Sequence, residues 1–451
     1  MELAQKTEIR QKHTLFYWMF GLMLCMVIAR NVLHIGFSVY LLLVPVALIA
    51  VFGNKDDIFA TALACIPLST AFQYKYAIII IIIVYCVRFS REVKITAKVI
   101  PIVLMFLWEM LHFGMGEFGW IELFRSFAEL AFLAFLFCVS DQKIDLALVS
   151  RTIAVSAIVI CSCILLVQLE ANSYDFSELF TGTLRFGAAD EKIENFGLNF
   201  NENRLGGICN IAIIGILLVT DKGRMRIFDM AAIGILAVFG TMTMSRTFII
   251  CFAIIVIYYF AFQTGTFDKK FFRMLGIVLA IGIGIVILYM IMPQVIENFS
   301  KRFMEEDISG GRGELFDFYN KHIFSSPLYT FFGIGLQNFE EKIMLLYSTS
   351  INACHNGYQE LVVVWGIPGI ALFIGLVWSV FSKNAEQPVK RNLLQYGPIT
   401  YLLIATIAGQ FITNGTAILE LSFAYLCLKT NFQKEIKQES LHNVTYDEVN
   451  L

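Results

Sequence analysis

Long runs of apolar residues alternate with short polar connections along most of this chain. Many of the runs approach the roughly 20 residues that an α-helix needs to cross a bilayer. Read by this pattern, the sequence predicts fourteen membrane spans. They lie near residues 15–30, 34–52, 58–73, 76–89, 99–113, 122–139, 148–169, 205–220, 229–244, 247–263, 274–292, 357–381, 393–411 and 416–429.

The positions of lysine and arginine predict which ends of the spans face the cytoplasm. With the N-terminus inside, most positive charges fall in cytoplasmic segments, including the clusters RFSREVK and KGRMR. Such a bias marks the cytoplasmic side of a membrane protein. We therefore expect both termini to be cytoplasmic, with two long segments outside.

The composition agrees with an all-α polytopic membrane protein. Hydrophobic residues make up 58% of the 451 residues, and charged residues only 16%, which excludes an ordinary soluble domain. We expect four parts in chain order. They are N-terminal spans over 1–292 with an outer loop at 170–204, a long extracytoplasmic loop over 293–356, C-terminal spans over 357–429, and a cytoplasmic tail over 430–451.

The long outer loop contains an amphipathic pattern. In ELFDFYNKHIF, apolar positions such as Leu315, Tyr319 and Ile323 recur at helical spacing. This spacing predicts a short helix that lies on the membrane surface. His322 is expected on the exposed side of that helix.

Two arginines are candidate anion-binding residues. Arg246, in TMTMSRTFII, stands between two spans with almost no loop. A charge at such a place has a functional partner or snorkels to the interface, and the sequence leaves both readings open. Arg312 lies between Gly311 and Gly313, whose backbone permits close approach to a ligand. Its guanidinium suits phosphate oxygens, although a solvated turn has the same pattern.

Polar residues next to the later spans are weaker candidates. Arg204 begins the span after NFNEN and is a third candidate cation, or else the partner of Glu202 or Glu194. His355 comes just before the helical run that starts near Gly357. Its imidazole suits a general base, and an ordinary polar residue at a span boundary is the competing reading.

Asn356 and Tyr358 fit two interpretations as well. They suit substrate positioning, or they simply begin the next helix with Asn356 as its N-cap. Cys354 is the one cysteine outside the apolar runs, so no disulfide framework or zinc spacing is expected. The sequence contains no Walker A, GxGxxG or HExxH motif. We accordingly expect no cofactor, no metal and no nucleic-acid partner.

Several of these stretches, in this order, resemble the O-antigen ligase and O-antigen polymerase superfamily of bacterial envelope glycosyltransferases. The resemblance is carried by SRTF at 245–248, by GGRGELFDFYNKHIFSSPLYTFFGIGLQNF at 310–339 and by HNGYQELVVVWGIPG at 355–369. NFNENRLGG, which includes Asn203, is a looser match. Gln359 departs from the pattern, since the family often has Leu there.

The resemblance implies a GT-C-like fold and a donor glycan carried on undecaprenyl diphosphate. It further implies that Arg246 and Arg312 hold the diphosphate, and that His355 takes the proton from the acceptor hydroxyl. The reaction would invert the anomeric centre and would need no metal. The additional candidates for substrate binding are Asn203, Arg204, Asn356 and Tyr358.

A polysaccharide polymerase in the cytoplasmic membrane is the function that this resemblance favours. It would join lipid-linked repeat units on the outer face, for capsule, O-antigen or exopolysaccharide. The alternative within the family is a ligase that moves the glycan to lipid A-core or another terminal acceptor. A flippase for lipid-linked oligosaccharides remains open, although transporters usually carry internal repeats. The expected partners are the undecaprenyl-diphosphate-linked oligosaccharide, the lipid bilayer, and the chain-length regulator and flippase of the same pathway.

Overall fold

Helices make up the regular structure of this chain. The computed structural model describes residues 13–113, 120–139, 144–171, 174, 186–187, 198, 201–222, 227–291, 293, 312–336, 339–347, 354–382, 393–409, 411–412 and 416–429. Within these ranges an isolated antiparallel bridge joins Val93 and Val139. The α-helices are α1 (Thr14–Asn31), α2 (Leu43–Phe52), α3 (Lys55–Leu68), α4 (Tyr74–Arg88), α5 (Ile100–Phe113), α6 (Trp120–Cys138), α7 (Leu146–Ala171), α8 (Glu202–Lys222), α9 (Ile227–Met242), α10 (Arg246–Phe262), α11 (Phe267–Ile291), α12 (Arg312–Ser325), α13 (Pro327–Phe332), α14 (Phe339–Tyr347), α15 (Gly357–Phe381), α16 (Gly397–Ala405) and α17 (Ala417–Lys429). Short 3₁₀-helices occupy Val39–Leu42, Ser90–Glu92, Ala97–Val99 and Leu393–Tyr396.

Each of the fourteen apolar segments contains a helix. Among the described residues, five helices are long and apolar enough to cross a membrane by themselves. Others are shorter, such as α2 with 10 residues and α16 with 9, so the number of spans stays a prediction. The segment 393–411 differs most, because its helix ends at Ala405. There the carbonyl of Thr406 accepts the N–H of Gly357, at 2.8 Å.

The burial of the helices separates a central group from the periphery. Helix α3 packs against α7, and α7 against α8. In the most apolar 18-residue stretch of each helix, 67% of the residues of α7 and 83% of those of α8 are buried. Helix α11 is the opposite case: its most apolar stretch has a mean hydropathy of 2.8, but only 6% of that stretch is buried. Apolar side chains exposed along a whole helix suit contact with hydrocarbon.

Helix α15 is interrupted in its middle, and the loop after α13 fills the interruption. Gly366 has a φ of +67°, which breaks the run of helical hydrogen bonds. The N–H of Ile334 donates to the carbonyl of Val363 at 3.0 Å, and that of Gly335 donates to the carbonyl of Val364 at 2.8 Å. Carbonyl groups that the break exposes are thereby satisfied.

A buried carboxylate on α5 binds both the loop and the part of α15 that precedes the interruption. Glu109 accepts the N–H of Leu336, with both oxygens at 3.0 Å, and the indole N–H of Trp365 at 2.7 Å. One turn further along α5, Nε2 of His112 lies 2.7 Å from the carbonyl of Phe332. The loop and α15 are therefore held against the same helix.

The predicted amphipathic helix forms as α12, and two of its apolar residues pack against other helices of the protein. Tyr319 is fully buried and Ile323 is 5% exposed, because α12 packs against α13 and α15. The expectation that His322 is exposed was wrong: it is 1% exposed, and its ring stacks on Tyr329 with centroids 4.5 Å apart. Helix α13 covers this side, which the spacing within one helix does not reveal. Burial lowers the pKa of His322 to about 4.

Candidate active site

A cavity of about 470 Å³ opens where the ends of several helices meet. Its wall is formed by the first turns of α8, α10 and α17, by the segment just before α15 and by the end of α16. The volume falls within the roughly 300–1,000 Å³ of small-molecule sites. The polar residues of the wall include Asn203, Arg204, Asn210, His355, Tyr401 and Glu420.

His355 lies at the cavity in an unusual backbone conformation. Its φ is +50°, in the left-handed region that residues other than glycine rarely adopt. This residue lies where the chain turns into α15, directly before the N-cap residue Asn356. Such strain, held in place by surrounding structure, is typical of functional sites. The structure therefore brings His355 and the candidates Asn203 and Arg204 to one cavity.

Asn356 and Tyr358 anchor the start of α15. Oδ1 of Asn356 accepts the N–H groups of Tyr358 and Gln359, both at 3.1 Å, so its side chain is the N-cap of the helix. The hydroxyl of Tyr358 donates to the carbonyl of Leu403 at 2.7 Å, which joins α15 to α16. Of the two interpretations of Asn356, the structural one is observed.

Arg246 is the first residue of α10, immediately after a sharp turn. Met244 in that turn has a φ of +50°, and Oγ of Ser245 caps α10 by accepting the N–H of Phe248 at 3.3 Å. The same hydroxyl donates to Oδ1 of Asn203 at 2.7 Å. Thr247, which follows Arg246, lines the cavity. Arg246 is thus next in sequence to a residue of the cavity wall, although it is not itself part of that wall.

Arg204 lies in the wall of the cavity on the first turn of α8. Its Nη2 donates to Oγ of Ser69 at 2.6 Å. It also interacts electrostatically with Glu129 and Glu420, which belong to helices far away in the sequence. The sequence suggested Glu202 or Glu194 as the partner of Arg204. Glu194 lies outside the described residues.

Arg312 begins α12, and its side chain lies outside the described part of the chain. The position of its helix is fixed by Gln359. Nε2 of Gln359 donates to the carbonyl of Phe316 at 2.8 Å and to Oδ1 of Asn320 at 3.0 Å. The second and third turns of α12 therefore lie beside the first turn of α15. The glutamine that departs from the family pattern is the residue that joins them.

Buried acidic residues were missed by the sequence reasoning. Glu420 is in the cavity wall, 7% exposed. Glu360 is fully buried, and its Oε2 accepts the N–H groups of Phe411 at 2.6 Å and Ile412 at 3.0 Å. A carboxylate within an apolar run is itself a signal, because it is costly in a membrane without partners. Applied to each predicted span, that rule would have found both residues.

Comparison with known proteins bears on the same part of the chain. A model of the O-antigen ligase family matches residues 206–374, a range that starts within α8 and ends within α15. The match includes Arg246, Arg312 and His355. No curated protein matches the sequence.

Proposed function

We propose that this chain is a polysaccharide polymerase, and the match of residues 206–374 to the O-antigen ligase family supports a function of this type. It transfers a glycan from undecaprenyl diphosphate to a hydroxyl group of the next lipid-linked repeat unit. The reaction takes place on the outer face of the cytoplasmic membrane, in capsule, O-antigen or exopolysaccharide assembly. The apolar helices support a setting in the bilayer.

In the proposed reaction, His355 removes the proton of the acceptor hydroxyl. The acceptor oxygen then forms a bond to the anomeric carbon, while the bond from that carbon to the diphosphate oxygen breaks. The electron pair of the broken bond leaves with undecaprenyl diphosphate. Attack from the face opposite the leaving group inverts the anomeric centre.

Arg246 and Arg312 stabilise the negative charge of the departing diphosphate. Fixed cations that meet developing charge lower the barrier of such a step. Each arginine is the first residue of a helix, and the N-terminus of a helix attracts anions. The bonds from Gln359 to Phe316 and Asn320 support this assignment, because they hold α12, which begins at Arg312, against the helix that follows His355. The two cations thereby replace a metal in this proposal.

The observation that carries the proposal is the position of His355. It combines a left-handed backbone with a place at a cavity of about 470 Å³ that has Asn203 and Arg204 in its wall. This arrangement supports a general base that faces a polar substrate. We favour the polymerase over the ligase because fourteen apolar segments and an N-terminal half outside the matched range are typical of that group.

The direct test uses purified protein in lipid nanodiscs with the undecaprenyl-diphosphate-linked repeat unit as the only substrate. We expect a ladder of longer glycans without nucleotide sugar and without added metal. A single transfer that requires a lipid A-core acceptor would replace the polymerase by a ligase. Movement of the lipid-linked oligosaccharide across liposomes without any new glycosidic bond would overturn the enzymatic proposal.

A further inference from the structure

The wall of the cavity contributed by α8 and α17 has polar atoms that are buried without partners. Asn210 is 1% exposed. Its Nδ2 donates to the carbonyl of Phe248 at 3.2 Å, which turns Oδ1 the other way. Within the described residues, neither Oδ1 of Asn210 nor the buried Nε of Arg204 has a hydrogen-bond partner. Buried polar atoms of this kind are costly unless a ligand or water satisfies them.

Glu420 completes this wall. Its carboxylate receives a hydrogen bond from the side chain of Thr416, and it interacts electrostatically with Arg204. Arg204, Asn210 and Glu420 all line the cavity. On α8, Asn203, Gly207 and Asn210 follow at helical spacing, so one face of that helix is turned to the cavity.

The chemistry of the wall distinguishes a sugar from a phosphate. A phosphate group offers negative charge and acceptor oxygens, which Oδ1 of Asn210 and the carboxylate of Glu420 would repel. A hydroxyl group both donates and accepts. It can donate to Asn210 or Glu420 while it accepts the Nε–H of Arg204, so vicinal hydroxyls satisfy all three residues.

We propose that Arg204, Asn210 and Glu420 form a subsite for the hydroxyl groups of a neutral sugar residue. This subsite is distinct from the arginines assigned to the diphosphate, and it rests on the proposed function because the sugar belongs to the lipid-linked glycan. The sugar is either the acceptor residue or the donor residue next to the diphosphate.

The first experiment measures binding without transfer. The probe is the repeat-unit oligosaccharide released from its lipid and freed of phosphate, titrated into the His355→Asn variant and followed by saturation-transfer NMR. We expect Glu420→Gln and Asn210→Ala, each added to that background, to weaken binding about tenfold, the effect of one lost hydrogen bond of about 1.4 kcal/mol.

Two control variants distinguish the loss of a direct contact with the sugar from the loss of any buried polar group. Glu129→Gln removes another buried carboxylate that interacts with Arg204, but Glu129 bonds to Tyr74 and is absent from the cavity wall. Ser422→Ala changes a fully buried residue of α17 whose hydroxyl donates to the carbonyl of Ile418. Both should bind the oligosaccharide within about twofold of the parent. Equal losses in Glu129→Gln and Glu420→Gln would contradict a direct contact.

The second experiment identifies the sugar. With His355 intact, a rise in KM for the free oligosaccharide as acceptor in Glu420→Gln assigns the subsite to the acceptor. A rise in KM for the lipid-linked donor alone assigns it to the donor. Unchanged binding in both Glu420→Gln and Asn210→Ala, or displacement of the oligosaccharide by inorganic pyrophosphate, would overturn the proposal. Binding that depends on Glu420 in a protein that forms no glycosidic bond would overturn the proposed function and leave the subsite standing.

Discussion

The hydroxyl of Ser245 donates a hydrogen bond to Oδ1 of Asn203, at 2.7 Å. Oγ of Ser245 also accepts the N–H of Phe248 and thereby caps α10. One side chain therefore begins a helix and joins it to α8 at the rim of the cavity. Arg246 is the next residue, so its position depends on both bonds.

Replacing Ser245 by alanine should affect stability and turnover together. We expect Ser245→Ala to lower the free energy of unfolding by about 1 kcal/mol, the usual cost of a lost N-cap. Displacement of Arg246 should reduce the rate of glycan transfer by about tenfold or more. Ser245→Thr keeps the hydroxyl and serves as the control. Thermal unfolding in detergent and the ladder assay check both effects, and an unchanged rate in Ser245→Ala would contradict the positioning role.

The backbone of His355 suggests which variant isolates its chemistry. Asparagine tolerates the left-handed region better than alanine does, so His355→Asn should keep the thermal stability of the parent. Loss of a general base should still slow transfer by about 10²- to 10⁴-fold. His355→Ala should show the same loss of rate with a lower melting temperature. Near-normal turnover of His355→Asn would exclude the proposed base.

The two arginines assigned to the diphosphate should tolerate lysine only in part. Arg246→Ala and Arg312→Ala should each lower kcat by about 10²-fold or more, while lysine restores some activity as a point charge without the planar fork of donors. Binding of undecaprenyl diphosphate, measured by competition, should weaken in parallel. Arg151→Lys is the control, because Arg151 forms a two-point ion pair with Asp229 at 3.0 Å on other helices. Full activity of either alanine variant would remove that arginine from the proposal.

Burial of His322 makes the loop helices sensitive to acid. Its pKa is lowered to about 4, below the usual value of about 6.5 in an unfolded chain. Between these pH values the unfolded state binds the proton more readily, so stability falls as the pH drops from 6.5 towards 4. Thermal unfolding measured across this range should show the loss, and His322→Phe should flatten it. A pH dependence that is the same in both proteins would assign the effect to other groups.

Gly333 and Gly366 lie where the segment after α13 packs against α15, and neither position has space for a side chain. A Cβ on Gly333 would overlap the carbonyl of Val364, and one on Gly366 would overlap the carbonyl of Phe331. Both glycines also have a positive φ. Gly333→Ala and Gly366→Ala should therefore each destabilise the protein by more than about 1 kcal/mol in thermal or denaturant unfolding. Gly282→Ala in α11, where nothing lies within 4 Å of the added atom, should be neutral or slightly stabilising.

Much of the helical framework could be predicted from the sequence, because apolar runs of helical length have few other structures in a membrane. The N-cap of α15 followed from the placement of Asn356 before an apolar run. The partners of buried polar residues could not be predicted. Glu109 and Glu360 bond to backbone groups of segments remote in the chain, and that choice depends on tertiary packing.

The candidate site was predictable only where its residues stand in recognisable stretches. His355 and Arg246 do so, whereas Asn210 and Glu420 lie inside apolar segments that resemble ordinary spans. His322 was misjudged for a related reason. Its helix was assessed alone, and the neighbour that buries it, α13, follows only after a turn at Ser326.

The interruption at Gly366 divides α15 into a short part that follows His355 and a longer part that continues to Phe381. Bilayers of different thickness change the tilt of a long apolar helix. In an uninterrupted helix, a change of tilt would displace His355 as well. Here the part of α15 before Gly366 is held against α5 by the hydrogen bond from Trp365 to Glu109 and by the loop after α13. The interruption should therefore let the longer part of α15 tilt without moving His355, and we expect turnover to vary little between thin and thick bilayers.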